Sequence, residues 1–203
     1  LYLQIEGVFV VAESADAALV SQAQSGDIGA FEALYKKYST MVFRTAYAIL
    51  RDRYAAEEVT QECFVRAYRS IGRVVECESL GPWLHRIAVN LSYNWWRQAQ
   101  RYRILPLDFL AAGEHSARTE SPQVALHRAE VSDVLAKALD TLGFDQRVAL
   151  VLFYLGGFSL EEIAYVLDCP VGTVKSRLHY GRAKLRRVLE QLRQAEPEVV
   201  YEF

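Results

Sequence analysis

Three cysteines, Cys63, Cys77 and Cys169, are all that this 203-residue chain carries. Their odd number and wide separation exclude a disulfide framework, and no C-x-x-C pair or neighbouring histidine supplies the donors of a structural zinc site. They read as reduced thiols of a cytoplasmic protein. Cys63 and Cys169 lie in or beside apolar helical patterns and are expected to be buried, whereas Cys77 falls in a predicted loop. No apolar run approaches the length needed to cross a bilayer. The opening LYLQIEGVFVVAE is short, lacks a basic leader and carries Glu6, so it resembles neither a signal peptide nor a span, and residues 1–15 are read as an arm without assigned function. Histidine is scarce too: His85, His115, His127 and His179 are scattered, and no carboxylate cluster joins them at metal-binding spacing. That argues against a helical enzyme acting on nucleic acid, and neither catalytic residue, cofactor nor metal is expected. Strand-like alternation of useful length is also missing. The predicted fold is all-α.

Neither sign of charge prevails. With 23 basic and 25 acidic side chains the formal net charge is −2, so an affinity for an acidic polymer requires segregated charges. Segregation is what the sequence has: acids gather at Glu57, Glu58 and Glu62 and at Glu76 and Glu78, bases at Arg97, Arg101 and Arg103 and near the C-terminus. The basic C-terminal stretch is the most informative, SLEEIAYVLDCPVGTVKSRLHYGRAKLRR from Ser159 to Arg187. Ser159 followed three residues later by Glu162 is a capping box that starts a helix with Ile163, Ala164 and Leu167 inward. Asp168-Cys169-Pro170 breaks it, and Val171 to Leu189 resumes as a helix with Val174, Leu178, Leu185, Val188 and Leu189 on one face. No acid lies between Asp168 and Glu190, while Lys175, Arg177, Arg182, Lys184, Arg186 and Arg187 supply positive charge. A capped helix, a turn and an acid-free helix in that order form a helix-turn-helix that reads DNA. Basic side chains neutralise phosphates, and those near the second helix N-terminus reach base edges in the major groove.

Along the rest of the chain, 16–103 is almost entirely helical in pattern. Phe31, Leu34, Tyr35, Tyr38, Val42, Ala46 and Ile49 repeat at helical spacing, Arg51-Asp52-Arg53 interrupts, and Ala55 to Ile71 restarts with Val59, Cys63, Phe64 and Ala67 inward. After a loop from Gly72 to Pro82, Trp83 opens a third helix in which Trp83, Ile87, Leu91 and Trp95 share the core face. Asn90, Asn94, Arg97 and Arg101 then fall on another face with Tyr93 beside it. Trp95 continues the core stripe, and exposure of Trp96 would favour contact with DNA. Residues 104–128, with Pro106, Pro122 and Gly113, lose the periodicity and read as a linker. Val131 to Leu142, Arg147 to Leu155 and the helix-turn-helix complete a C-terminal four-helix unit over 129–192, and 193–203 form a tail.

Four stretches, SGDIGAFEALYKKYSTMVFRTAYAIL, AAEEVTQECFVRAYRSI, WLHRIAVNLSYNWW and the helix-turn-helix, together resemble the bacterial RNA polymerase sigma factors of the extracytoplasmic-function (ECF) class. These short factors keep two domains, regions 2 and 4, joined by a linker. The resemblance implies an all-α, two-domain protein that binds core polymerase, recognises the minus-35 and minus-10 promoter elements and helps melt DNA.

The face of Asp52, Glu57, Glu58, Gln61 and Glu62 would then grip the clamp helices of the largest polymerase subunit, a basic helical partner suited to an acidic face. By chemistry alone that face reads as an ordinary solvated one, and it is the resemblance that makes it a binding surface. Asn90, Tyr93, Asn94, Arg97 and Arg101 would read the melting minus-10 element, where Asn pairs with base edges, Arg holds phosphates and aromatic rings stack on unpaired bases. Thr173, Lys175, Ser176, Arg177, His179 and Arg182 would read the minus-35 element while their domain docks on the polymerase flap. The linker, with Asp108, Glu114 and Glu120, would thread toward the active-site cleft, and an anti-sigma factor would hold the protein inactive. One departure from the family stands out: its base-capturing loop commonly has a glycine and a serine, where this chain has Glu76 and Glu78. A helix-turn-helix regulator that does not replace a sigma subunit is the alternative, but it predicts an effector or receiver domain, and the N-terminal half has no strand-helix alternation.

Overall fold

The computed structural model describes residues 15–74, 80–102 and 138–195, and among them every regular element is helical. The N-terminal arm, Glu76, Cys77, Glu78, the linker and the tail beyond Ala195 lie outside the described residues, as does most of the helix expected from Val131. The elements are α1 (Ala15–Gln24), α2 (Ile28–Leu50), α3 (Arg53–Ser70) with a 3-10 turn at Ile71–Arg73, α4 (Leu80–Tyr102), α5 (Phe144–Tyr154), α6 (Leu160–Leu167) and α7 (Val171–Ala195).

Side chains placed at the breaks explain why the helices end where they do. Asp27 caps α2 by accepting the N–H groups of Gly29 at 2.8 Å and Ala30 at 3.3 Å. The Arg51-Asp52-Arg53 interruption is a complete corner. Arg51 takes a left-handed conformation (φ 59°) and donates its N–H to Tyr47, and Asp52 caps α3 through the Ala55 N–H at 2.9 Å. α4 starts at Leu80 and not at Trp83, since a proline in the first helical turn has no N–H that the helix would need. Likewise α5 starts at Phe144, three residues before the expected Arg147.

α1 to α4 enclose one core. Leu34, Val42 and Ala46 of α2, Ala56, Val59, Cys63 and Ala67 of α3 and Leu80, Leu84 and Ala88 of α4 are all buried there. On α4 the core stripe differs from the expected one: Leu80, Leu84, Ala88 and Leu91 are buried, and Trp83, Ile87 and Trp95 pack half-buried at its edge. The thiol of Cys63 lies within this core, and burial pushes its pKa up to about 12, which leaves it inert. Asp16 of α1 is buried at 3% exposure and joins three elements, accepting from Lys37 at 2.6 Å and Tyr38 on α2 and from the Leu80 N–H at the start of α4.

The second core belongs to α5, α6 and α7, with Val148, Leu152, Phe158, Ile163, Val166, Val174 and Leu178 buried. The capping box forms as expected, with Glu162 N–H to Ser159 Oγ at 3.2 Å and Ser159 N–H to the Glu162 carboxylate at 2.8 Å. Asp168 closes α6 in the left-handed region (φ 49°). Val166, absent from the expected stripe, is more deeply buried than Ala164 or Leu167. Gly181, midway along α7, lets that helix approach α5: a Cβ there would lie 3.1 Å from Leu150 Cδ1.

The second core also contains two residues from the N-terminal helices, Ile49 and Val89, at 1% and 5% exposure. α4 therefore buries two faces, one in each core, with Trp96 packed half-buried on the second. Two arginines fasten the units reciprocally. Arg147 of α5 donates to the Ile49 carbonyl in the last turn of α2 at 2.9 Å, and Arg86 of α4 donates to the Tyr165 carbonyl in the last turn of α6 at 3.0 Å. Each guanidinium thus donates to a carbonyl at a helix C-terminus, where the helix dipole is negative, and the Tyr165 carbonyl accepts the Asp168 N–H as well. Arg86 in addition pairs with Asp168 at 3.2 Å and lies 4.9 Å from the centre of the Tyr165 ring.

His85 is fully buried on the second face of α4, with its ring edge-to-face with Phe158 at 4.7 Å. A carbonyl can only accept, so the 2.8 Å contact to Gly81 O fixes the ring proton on Nδ1 and leaves Nε2 to accept from the Thr45 hydroxyl at 3.2 Å. Burial lowers the pKa of this imidazole below its ordinary 6.5, and the Gly81 contact offsets part of that effect. A base whose folded pKa is depressed contributes stability that is present above 6.5 and lost as pH falls from there through the lowered value. Urea midpoints measured between about pH 7.5 and pH 5 should decline in the native chain. The decline should flatten in His85→Gln; an identical slope in both proteins would count against His85 as its source.

Candidate nucleic-acid interface

α7 keeps its cationic side chains on the surface opposite Val174 and Leu178. Lys175, Ser176, His179 and Arg182 are exposed, while Thr173 and Arg177 are half-buried. Several are engaged within their own unit. Arg177 donates to Asp145 of α5 at 2.7 Å and to Cys169 Sγ at 3.5 Å, Ser176 Oγ donates to the Thr173 carbonyl, and Arg182 Nε donates to the Leu178 carbonyl. Lys184 reaches the Thr141 carbonyl. Beyond the base contact expected of it, Arg177 braces α7 against α5, and Cys169 of the turn is half-buried beside it. This pairing is not legible in the sequence, because Asp145 lies 32 positions away.

On α4, Asn90, Tyr93, Asn94, Arg97 and Arg101 are all exposed, and the four polar members share one stripe. Tyr93 stacks on Trp96 with ring centres 5.9 Å apart, and the Arg97 guanidinium lies 5.6 Å from the Tyr93 ring. Trp96 is not an open platform: Phe144 of α5 covers it at 5.1 Å and meets the Tyr93 ring at 5.3 Å. Near the other end of α4, Ser70, Arg73, Trp83, Arg86, Ile87 and Asn90 line a groove of about 260 Å³ whose far wall is Tyr165. Arg86, Tyr165 and Phe144 were missed in the sequence. His85, Val89 and Trp96, at helical spacing on one side of α4, were the available signal of a second buried face.

The acidic face of α3 is less acidic than its composition suggests. Asp52 is spent as the cap, Glu57 pairs with Arg53 at 2.9 Å, Glu62 pairs with Arg66 at 2.7 Å, and Glu58 accepts from the Tyr54 hydroxyl at 3.0 Å. Gln61 is exposed and lies in a stripe with Tyr54, Glu58, Val65 and Tyr68, of which Tyr54, Val65 and Tyr68 are large exposed hydrophobics. This face offers aromatic and apolar surface with locally compensated carboxylates beside the acidic and polar groups expected there. Among the described residues no group of three His, Cys, Asp or Glu is placed to hold a metal ion, and no helix is long and apolar enough to cross a membrane.

Comparison with known proteins identifies the architecture. The family model Sigma-70 region 2 matches residues 34–102, and Sigma-70, region 4 matches residues 132–185. The RNA polymerase sigma-H factor of Pseudomonas aeruginosa is 33% identical over 191 residues, covering 90% of this chain and 98% of that protein. The ECF RNA polymerase sigma factor SigW of Bacillus subtilis is 32% identical over 181 residues, covering 85% and 96%. Among solved structures, CnrH in complex with the cytosolic domain of CnrY aligns with a TM-score of 0.67 at 25% identity, covering 88% of this chain and 99% of that one. The order of the helices, the capped helix-turn-helix and these matches agree: the chain belongs to the ECF sigma factors, which bind core RNA polymerase and direct promoter-specific initiation of transcription.

Proposed function

We infer that α7 reads the minus-35 element through Thr173, Lys175, Ser176, Arg177, His179 and Arg182, and that α4 reads the minus-10 element through Asn90, Tyr93, Asn94, Arg97 and Arg101. The observation that carries this reading is the presence of two polar, cationic faces on separate helices of one chain, each opposite a buried stripe. Arg and Lys hold phosphates in both, while Asn and the Tyr93 ring suit bases that have left the stack. The α3 face around Asp52, Glu57, Glu58, Gln61 and Glu62 binds the polymerase clamp helices, with Tyr54, Val65 and Tyr68 adding apolar contact. Residues 16–103 form region 2, 104–128 the linker and 129–192 region 4. The chain acts in the cytoplasm without catalytic residues, metal or cofactor of its own. Its regulatory partner is an anti-sigma factor; the neighbouring structure of CnrH with the cytosolic domain of CnrY supports a protein partner for this fold.

Run-off transcription with purified core polymerase over a promoter library tests the reading and yields the sequence preference. Within it, Arg177→Ala should lower discrimination at one minus-35 position by about 1–3 kcal/mol. Arg187→Ala should weaken binding evenly across sequences. Equal losses on every promoter from both changes would refute the two roles. To touch a base Arg177 must exchange Asp145, so Asp145→Asn should preserve the discrimination that Arg177→Ala removes.

A further inference from the structure

We propose that α1 frames the minus-10 surface: Gln24 is a positioning residue that aims Arg73 at a phosphate of the melted strand, and Asp16 sets the start of α4 beside it. This rests on the assignment of α4 to the minus-10 element. Three observations carry it.

The first is where α1 takes hold. Asp16, Val20 and Ala23 recur at helical spacing and are buried, so one stripe of α1 packs into the region 2 core. Gln24 ends that helix and is exposed. Its amide nitrogen has two N–H groups to donate, and it reaches the Ile71 carbonyl at 2.9 Å and the Val74 carbonyl at 2.8 Å. Eight helical residues earlier, about 12 Å away, Asp16 accepts the Leu80 N–H. α1 therefore grips the chain just after α3 ends and again where α4 begins.

The second observation is what the grips fix. Arg73 stands between the two carbonyls that Gln24 holds, and the buried Ile71 side chain anchors the same turn in the core. A turn held at both ends cannot swivel its middle. At Leu80 the Asp16 carboxylate takes an N–H that a helix start leaves without an internal partner, and its charge complements the helix dipole. Trp83 lies three residues further along α4 and Asn90 about 15 Å from Leu80 on the same axis, so both follow from where the helix begins.

The third is convergence. Arg73, Trp83 and Asn90 line one groove, and Asn90 is a member of the minus-10 face, so the Arg73 guanidinium stands beside that face. Arg73 is exposed and pairs with no acid among the described residues, whereas Arg53 and Arg66 of α3 hold Glu57 and Glu62. A guanidinium without a protein partner, next to an amide and an indole ring, suits the backbone of a strand whose bases have left the stack. Hydrogen bonds to nitrogen donors keep to about 2.7–3.2 Å, so moving the turn by about 1 Å is enough to lose the phosphate. Gln24 prevents that movement without touching DNA.

The test uses holoenzyme and a promoter taken from the run-off library, mismatched across its minus-10 element so that the strands are already apart. Affinity is measured between about 50 and 200 mM salt. Arg73→Ala should lower the slope of log affinity against log salt by about 0.7, the contribution of one single-strand phosphate. Gln24→Met exchanges one uncharged, unbranched side chain for another and should lower the slope equally, worth roughly 2.6-fold across that range. A neutral change that only loosened the fold would weaken binding and leave the slope as it is. Gln24→Met combined with Arg73→Ala should lose no more slope than Arg73→Ala alone, because the amide acts through the guanidinium. Gln24→Ala repeats the measurement with a second uncharged side chain. A native slope in both Gln24 variants overturns the proposal, as does an additive loss in the double variant. Arg97→Ala separates the proposal from the reading beneath it. If that change lowers the slope while those at Arg73 and Gln24 do not, α4 keeps its minus-10 assignment and the role of α1 falls. If none of them alters the slope, or no promoter is transcribed, the assignment of α4 falls as well.

Discussion

Asp16→Ala should lower the unfolding free energy by about 3 kcal/mol, read as a drop in the urea midpoint with unchanged m-value. The carboxylate is the common acceptor for the Lys37 ammonium, the Tyr38 hydroxyl and the Leu80 N–H, so one substitution loosens α1, α2 and the start of α4 together. The loss sits at the low end of the range of about 3–5 kcal/mol typical of a broken buried ion pair. Its reason is that the Lys37 side chain is 47% exposed and turns to water when its partner is gone. Burial tends to raise the Asp16 pKa, but the hydrogen bonds from Lys37, Tyr38 and Leu80 outweigh it and hold the carboxyl below its ordinary 3.8. A depressed carboxyl contributes stability that is full above 3.8 and lost as pH falls from there through the folded value. Asp16→Asn should therefore be destabilised at neutral pH and converge on the native chain in acid. A constant difference across that range would show that charge at Asp16 is not what matters.

Removing cationic side chains from α7 should have the largest functional effect. Lys175, Arg182 and Arg187 are exposed on that helix, and each is expected to neutralise one phosphate. Replacing all three by alanine should reduce the slope of log affinity against log salt by about 2.7, because each released counterion contributes about 0.9. Between about 50 and 200 mM salt that slope is worth roughly 40-fold in affinity, so the advantage of the native holoenzyme over the variant should shrink by about that factor across the range. The measurement is holoenzyme binding to a promoter fragment over a salt series. An unchanged slope with weaker binding would place these side chains away from the phosphates.

The two predictions draw on different levels of information. The cations of α7 are visible in the sequence because their pattern is local: a cap at Ser159, a break at Asp168 to Pro170 and a helical stretch free of acids up to Glu190. All three survive in the structure, since Ser159, Glu162 and Asp168 act within four residues of their partners. Asp16 gave no such signal. Its partners are 21, 22 and 64 positions away, and an aspartate in the first turn of a helix reads as a solvent-facing charge. The acids of α3 show the same limit from the other side. Their positions on one face were legible from spacing, but Arg53 and Arg66 compensate two of them in the folded helix, so the face carries less charge than a count suggests.

Sequence alone determined the all-α class, the capped helix-turn-helix, the corner at Arg51 to Arg53 and the family, because each depends on short-range hydrogen bonding, periodicity or an ordered set of motifs. Tertiary structure decided which stripe of α4 faces the first core, that a second face of the same helix is buried, that Arg177 is braced by Asp145 and that Arg86 and Arg147 cap helices across the two units. These outcomes depend on which distant surfaces meet. A side chain at a given helical position has the same local preference whether solvent or another unit covers it, so periodicity records where a face points and not what finally lies against it.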